Sequence, residues 1–202
     1  MQYNFAVMTV FDTSGHGWRT RDVIFTGVLA ATAFAAAFLL GAGVILATGI
    51  PATGGMANIF PVVFLAVLGY KICPRPFFGT LTMAIVFLLA IPTVIGGPLG
   101  PLKLVNGIII GLVWDLIIVA GRRKNGAIIV ASGVAAVVSL LCVYAGLIIL
   151  KLPAVGKLRP LVLPLSGIQA VLGVVAAYLA LKIYDARVSK WPAVQRFQRA
   201  GA

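Results

Sequence analysis

The residues of this chain that could do chemistry inside an apolar setting gather between Ile95 and Asp115, in IGGPLGPLKLVNGIIIGLVWD. At helical spacing Lys103, Asn106, Ile110 and Trp114 fall on one stripe, polar at its start and aromatic at its far end. Gly107, Gly111 and Asp115 fall on the neighbouring stripe, which is small enough for another helix to approach closely. The chemistry on offer is hydrogen bonding from an ammonium and a carboxamide. One reading makes the preceding Gly96-Gly97-Pro98-Leu99-Gly100-Pro101 loop part of a lid over a ligand site. In the other, Gly and Pro only turn the chain and Lys103 marks the membrane interface.

Other chemistries lack their groups. The acids are Asp12, Asp22, Asp115 and Asp185, with no glutamate, so paired carboxylates for acid–base work are absent. No GxSxG, HExxH or Walker GxxxxGK[ST] pattern occurs. His16, the single histidine, sits in SGHGW with no second ligand nearby and reads as a solvated loop residue. Cys73 and Cys142 stand in a connector and deep in an apolar run, so no disulfide is expected. No catalytic residue, metal site or cofactor is assigned, and the chain is not read as an enzyme. Asp115 alone lies within an apolar stretch, where a carboxylate costs about 2.5–3.5 kcal/mol on insertion scales. It is read as structural, reaching the interface beside Arg122 and Arg123. Proton-coupled transport would need more such groups in mid-membrane.

The elements that must position these residues are membrane helices. Of 202 residues, 61% are hydrophobic and 10% charged, and the mean hydropathy is +1.11. That composition lies outside soluble domains, and a span needs roughly 20 apolar residues. The spacing predicts an all-α integral membrane protein, a bundle of six transmembrane helices over residues 23–48, 58–72, 77–95, 102–120, 127–150 and 161–184. Pro61 falls in the first turn of the second helix, and Pro92 is expected to kink the end of the third. Residues 1–22 form a leader without the apolar run of a cleavable signal, 23–185 the six-helix domain, and 186–202 a basic polar tail with Trp191 as an interface anchor.

Six spans put both termini on one side. That side carries 12 of the 16 Lys and Arg residues. The positive-inside rule therefore predicts cytoplasmic N and C termini in a multi-pass protein of the cell membrane. The net charge of +12 sits between the apolar runs as topology signals, so nucleic acid is not an expected partner, whereas membrane lipid is. The loops 49–57, 96–101 and 151–160 then face outward.

Polar residues collect in the outer halves of these helices. Beside Lys103 and Asn106 are Ser139, Cys142 and Gly146 on one stripe, with Tyr144 on another side of the same helix. Ser166, Gln169 and Gly173 share a stripe further on. Gln169 is costly in hydrocarbon without a partner, which a ligand or a helix–helix hydrogen bond would supply. The outward loops hold Lys103, Lys151, Lys157 and Arg159 and no acid, which favours a neutral or anionic ligand. The first helix carries two small-residue ridges, Gly27-Ala31-Ala35 and Ala33-Ala37-Gly41. Such ridges serve packing inside the bundle, or one of them docks a partner membrane protein.

This pattern resembles the substrate-binding S component of energy-coupling factor (ECF) transporters over residues 19–187. RTRDVIFTGVLAATAFAAAF is similar to that family's first helix with its Ala-x-x-x-Ala ridge, here Ala31 and Ala35 or Ala33 and Ala37. NIFPVVFLAVLGYKI resembles its second helix, and GGPLGPLKLVNGIIIGLVWDLII with GRRKNG its third loop, fourth helix and basic turn. The resemblance implies an outward-facing site capped by the loops after helices one and three. It implies docking through the alanine ridge onto a transmembrane T component driven by two ATPases in trans, and tipping of the S component to release substrate inward. The Met-His start of the nickel and cobalt members is absent, as are acids for a thiamine-like cation. A vitamin-like or other small organic nutrient is therefore expected. On this reading Asn58, Lys103, Asn106, Tyr144 and Gln169 bind substrate, and Gly27, Ala31, Ala35, Ala33 and Ala37 dock the partner. A stand-alone small-solute carrier and a non-transporting membrane scaffold are the alternatives; a lipid-modifying enzyme comes last.

Overall fold

The structure is a computed structural model that describes residues 17–48, 57–93, 99–151, 155–156 and 159–199. His16 and the rest of the leader before it, the loop positions 49–56 and 94–98, and Lys157 lie outside the described residues.

Seven α-helices account for the described fold: α1 Thr20–Thr48, α2 Ile59–Ile72, α3 Phe78–Ala90, α4 Leu102–Ala120, α5 Asn125–Ile149, α6 Val162–Ala186 and α7 Pro192–Arg199. Two single 3-10 turns, Arg159–Leu161 and Val188–Lys190, precede and follow α6. The first six helices stand where the apolar runs predict them. Four of them, α1, α4, α5 and α6, are long and apolar enough to cross a membrane. With 14 and 13 residues, α2 and α3 are only about 21 and 20 Å long, short of the ~30 Å hydrocarbon layer. Large apolar side chains cover the outside of the bundle, among them Ile24, Leu39, Leu116, Leu163 and Val171. This is the architecture of a membrane-embedded, multi-pass helical protein.

Two boundaries and the tail differ most from expectation, each for a local reason. α1 begins at Thr20, a turn before residue 23, because Asp22 in its first turn faces the positive helix end and is fully buried against Arg75. α3 stops at Ala90 instead of continuing through a kink to 95. Pro92 has no N–H to extend the helix, and both the backbone N–H and the hydroxyl of Thr93 turn back onto the Ala90 carbonyl. The tail is not merely a polar extension, since α7 folds back onto the bundle. Its Val194 is buried, its Phe197 ring lies 5.2 Å from that of Phe25, and Gln198 donates to the Lys71 carbonyl and the Tyr184 hydroxyl.

Around the bundle the helices contact one another in the closed order α1–α2–α6–α5–α4–α3, and α3 returns to α1. Helices consecutive in sequence run antiparallel where paired residues fix their levels. Asn58 lies beside Gly41 and Gly69 beside Leu29, which sets α2 against α1. Gly121 meets Ala127, Trp114 bonds Ser132 and Leu99 covers Gly146, which sets α4 against α5. The short turns 73–77 and 121–124 and the α6–α7 turn thus share one end, here the basic end. The ends of α1, α3 and α5 and the starts of α2, α4 and α6 share the other, the loop end.

The apolar core is not evenly spread between these ends. Tyr70, Phe78, Trp114, Ile118, Ile128, Ala131, Ala177 and Leu181 fill the basic half, and the cluster stops at the level of Val63, Met83, Ile110, Ala135 and Ala176. Small residues let the helices approach. A Cβ on Gly111 would overlap Thr80 and one on Gly107 would sit 2.8 Å from the Met83 carbonyl, so the α4 glycine stripe seats α3 as its spacing predicts.

Candidate functional site

Above this core polar residues join buried Ala37, Ala90, Leu99 and Leu147. Asn58 at the start of α2, Lys103 and Asn106 in the first turns of α4, and Gln169 in the second turn of α6 are all buried, with 8, 1, 7 and 6% of their surface exposed. Along α5, Ile128 through Ala136 bury one side, yet no residue from 137 to 145 is buried, although α4 and α6 flank the helix. Half-exposed Ser139, Cys142 and Tyr144 lie in this stretch. α5 is therefore less buried in the loop half than in the basic half. The five sequence-predicted binding residues all lie there, on α2, α6, α5 and α4, four consecutive members of the ring.

The floor of this half is aromatic. Trp114, two turns below Asn106 on the same stripe, stacks edge-on against Tyr70 at 5.3 Å and donates its Nε1–H to Ser132 Oγ at 3.1 Å. Ser132 passes its own proton to the Ile128 carbonyl, so the pair is fully engaged in the core. The roof includes Leu99, in the described part (99–101) of the Gly/Pro loop. It is 2% exposed, and a Cβ on Gly146 would lie 2.8 Å from its Cδ2. The rest of the expected lid, 49–56 and 94–98, lies outside the described residues.

Lys103 does not present a free ammonium. Its Nζ donates to the Ala90 carbonyl at 2.9 Å and the Thr93 carbonyl at 2.6 Å, capping the C-terminal end of α3. Asp115 caps the other end. Its carboxylate accepts from the backbone N–H groups of Gly79 at 3.0 Å and Thr80 at 2.7 Å and from the Thr80 hydroxyl at 2.7 Å. The expectation that Asp115 is structural agrees with this geometry, but its partners are amides of α3 and not Arg122 and Arg123. α3 needs this help because Phe77, the residue before it, is left-handed (φ 58°) and offers no side-chain cap.

The three carboxamides have no such closure. Asn58 Oδ1, Asn106 Nδ2 and Gln169 Oε1 are each buried without a hydrogen-bond partner. The helix–helix hydrogen bond that is the alternative role of Gln169 is not made by this oxygen. Each unsatisfied buried polar atom costs about 1–3 kcal/mol. Asn58 is also held against Gly41 of α1, where any Cβ would overlap its carboxamide.

The two ridges of α1 have opposite surroundings. Ala33 and Ala37 are 0 and 2% exposed, and Ala33 packs with Ala30 against Val86 of α3. Their place in a docking ridge is corrected accordingly: they face the interior and belong to the bundle. Ala31 and Ala35 are exposed, and nothing lies within 4 Å of a Cβ built on Gly27.

At the basic end a charge cluster appears that sequence spacing does not reveal. Asp22, with no exposed surface, accepts from Arg75 Nε at 2.8 Å and from Arg21 Nε and the Arg19 N–H at 3.3 Å. Trp18 donates to the Pro76 carbonyl beside it. The one signal in the sequence is an acid in the first turn of α1; its partner lies 53 positions away. Cys73, buried in the same turn, has its thiol pushed up to about 11, chiefly by burial and secondarily by Asp22, with Arg75 opposing. Among the described residues no group of three or more His, Cys, Asp or Glu side chains could hold a metal ion.

Comparison with protein-family models, with curated proteins and with solved structures finds no match to this chain.

Proposed function

We propose that the chain is the membrane-embedded substrate-binding subunit of an ECF-type importer. It captures a vitamin-like or other small organic nutrient at the loop end and hands it on through partner subunits that hydrolyse ATP. The observation that carries the binding part is the set of three buried carboxamides, Asn58, Asn106 and Gln169, each with one unpartnered atom, above a packed aromatic floor. A ligand that completes their hydrogen bonds offsets a cost the fold otherwise keeps. Tyr144 is half-exposed in the same half of the bundle, where it has room to meet such a ligand.

The sequence resemblance and the outward ridge Gly27, Ala31 and Ala35 support the partner part. An exposed small-residue ridge on a long apolar helix allows another transmembrane helix to approach closely. In this proposal all six apolar helices cross the membrane, α2 and α3 together with their non-helical ends. Both termini face the cytoplasm, where Lys and Arg concentrate.

Cross-linking in native membranes, followed by purification of the tagged chain and identification of associated chains by mass, tests the class. Co-recovery of a multispanning protein with one or two ATPases is the expected result. Recovery of the chain alone after cross-linking overturns the importer-subunit reading in favour of a stand-alone carrier or scaffold.

A further inference from the structure

The loop-half site also constrains the charge of what it binds; this step rests on the binding-subunit reading above. We infer that the ligand is uncharged and carries both hydrogen-bond donors and acceptors, as an amide, lactam or ureide does. Each of Asn58, Asn106 and Gln169 presents a neutral group with one acceptor and two donors. Their unpartnered atoms are two oxygens and one nitrogen. Asn58 Oδ1 lies against Gly41 of α1, so the pair left to a ligand is Asn106 Nδ2 and Gln169 Oε1. A partner that satisfies both must accept one proton and give one, which neither a carboxylate nor an ammonium does.

Among the described residues no carboxylate is available at that end. Asp22 is engaged by Arg75 at the basic end, Asp115 is spent on the start of α3, and Asp185 lies in the last turn of α6, also at the basic end. Asp12 precedes α1 in the chain. An ammonium would therefore enter a buried space with no carboxylate to meet it, at a high desolvation cost. Lys103, a buried cation in the first turn of α4, is 1% exposed and directed at the Ala90 and Thr93 carbonyls. An anionic ligand would have to draw it away from the two carbonyls that hold it. Lys151 and Arg159 are exposed, beyond the ends of α5 and α6, in contact with solvent. The chemistry left to the site is neutral and amide-like, above an aromatic floor suited to a flat ring.

Purified full-length protein in detergent is heated with nicotinamide, nicotinate or 3-picolylamine, one ring bearing a neutral amide, a carboxylate or an ammonium, and with the pair uracil and orotate. At about 10 mM probe the neutral compounds should raise the unfolding midpoint by about 2 °C or more. The charged analogues should do markedly less. Asn106→Leu and Gln169→Leu should abolish the shift while the ligand-free midpoint holds or rises. That second readout separates a lost contact from a lost fold. A larger shift with nicotinate, orotate or 3-picolylamine overturns the neutral class and leaves the binding-subunit reading standing. A shift that survives in both leucine variants overturns the assignment to these carboxamides. No shift with any probe overturns the neutral-ligand inference together with the binding reading beneath it.

Discussion

Lys103 and Asp115 stand twelve residues apart on α4 and cap opposite ends of α3. The ammonium meets the carbonyl end and the carboxylate meets the amide end, so each charge faces the helix pole of opposite sign. Twelve residues rise about 18 Å along α4, close to the roughly 20 Å length of the 13-residue α3. The two ionisable residues most exposed to a functional interpretation thus hold a short helix in place.

The clamp predicts unequal costs at its two ends. Asp115→Ala strips partners from two backbone N–H groups and a hydroxyl and should cost about 2–4 kcal/mol in detergent unfolding. Asp115→Asn keeps one accepting oxygen and should cost less. Lys103→Met removes one donor from each of two carbonyls, and the Ala90 carbonyl keeps its bonds from Thr93, so it should cost less than Asp115→Ala. An Asp115→Ala protein as stable as the parent would remove the clamp.

Seam packing gives a sharper contrast between glycines. A Cβ on Gly111 meets the backbone of Thr80, and one on Gly126 meets nothing within 4 Å. Gly111→Ala should therefore destabilise by about 1–3 kcal/mol through overpacking, while Gly126→Ala should be neutral or slightly favourable. Matched unfolding curves of the two variants decide it, and equal midpoints would contradict the close α3–α4 approach.

The two faces of α1 separate fold from partner. Ala33→Leu forces a large side chain into a position with no exposed surface and should lower stability in the isolated protein. Ala31→Leu adds volume to an exposed face and should leave the isolated protein and its ligand response intact. Under the proposed function, it should abolish co-purification of the membrane partner and solute uptake. Retained partner recovery in Ala31→Leu would move docking elsewhere.

At the basic end, Arg75 and Asp22 form a buried ion pair with 7 and 0% of their side chains exposed. Arg75→Ala should cost about 3–5 kcal/mol, since it leaves a buried carboxylate short of its nearest cation. Arg122, exposed in the next turn, serves as the control: Arg122→Ala should change the unfolding midpoint little.

Thiol labelling reads the difference between the two halves. Cys73 is buried, with its thiol raised from 9.0 to about 11, so it should resist a water-soluble thiol reagent at pH 7–8 until the protein unfolds. Cys142 is half-exposed in the loop half and should label first. Because the folded thiol titrates higher than the unfolded one, this group favours the fold below pH 9.0. That contribution is lost as the pH rises toward about 11. Labelling of Cys73 before Cys142 in folded protein would contradict the packing described.

The chain by itself determined that there are six apolar helices, and nearly where each begins and ends. Helix periodicity, Gly and Pro at the connectors and charge between the runs are local signals, and α4 falls at 102–120 as its spacing predicts. The Gly107–Gly111 stripe was likewise legible as a close-packing face, and so was the presence of polar residues at one end. What the chain could not disclose was partnership. Whether Lys103 faces a ligand or the Ala90 carbonyl, whether Asp115 meets Arg122 or the amides of α3, and which alanine ridge of α1 turns inward all depend on which helix lies alongside. That is settled by the ring order α1–α2–α6–α5–α4–α3. Hydrogen bonds and burial act between residues far apart in sequence, as with Asp22 and Arg75, 53 positions apart, so only the tertiary structure can assign them.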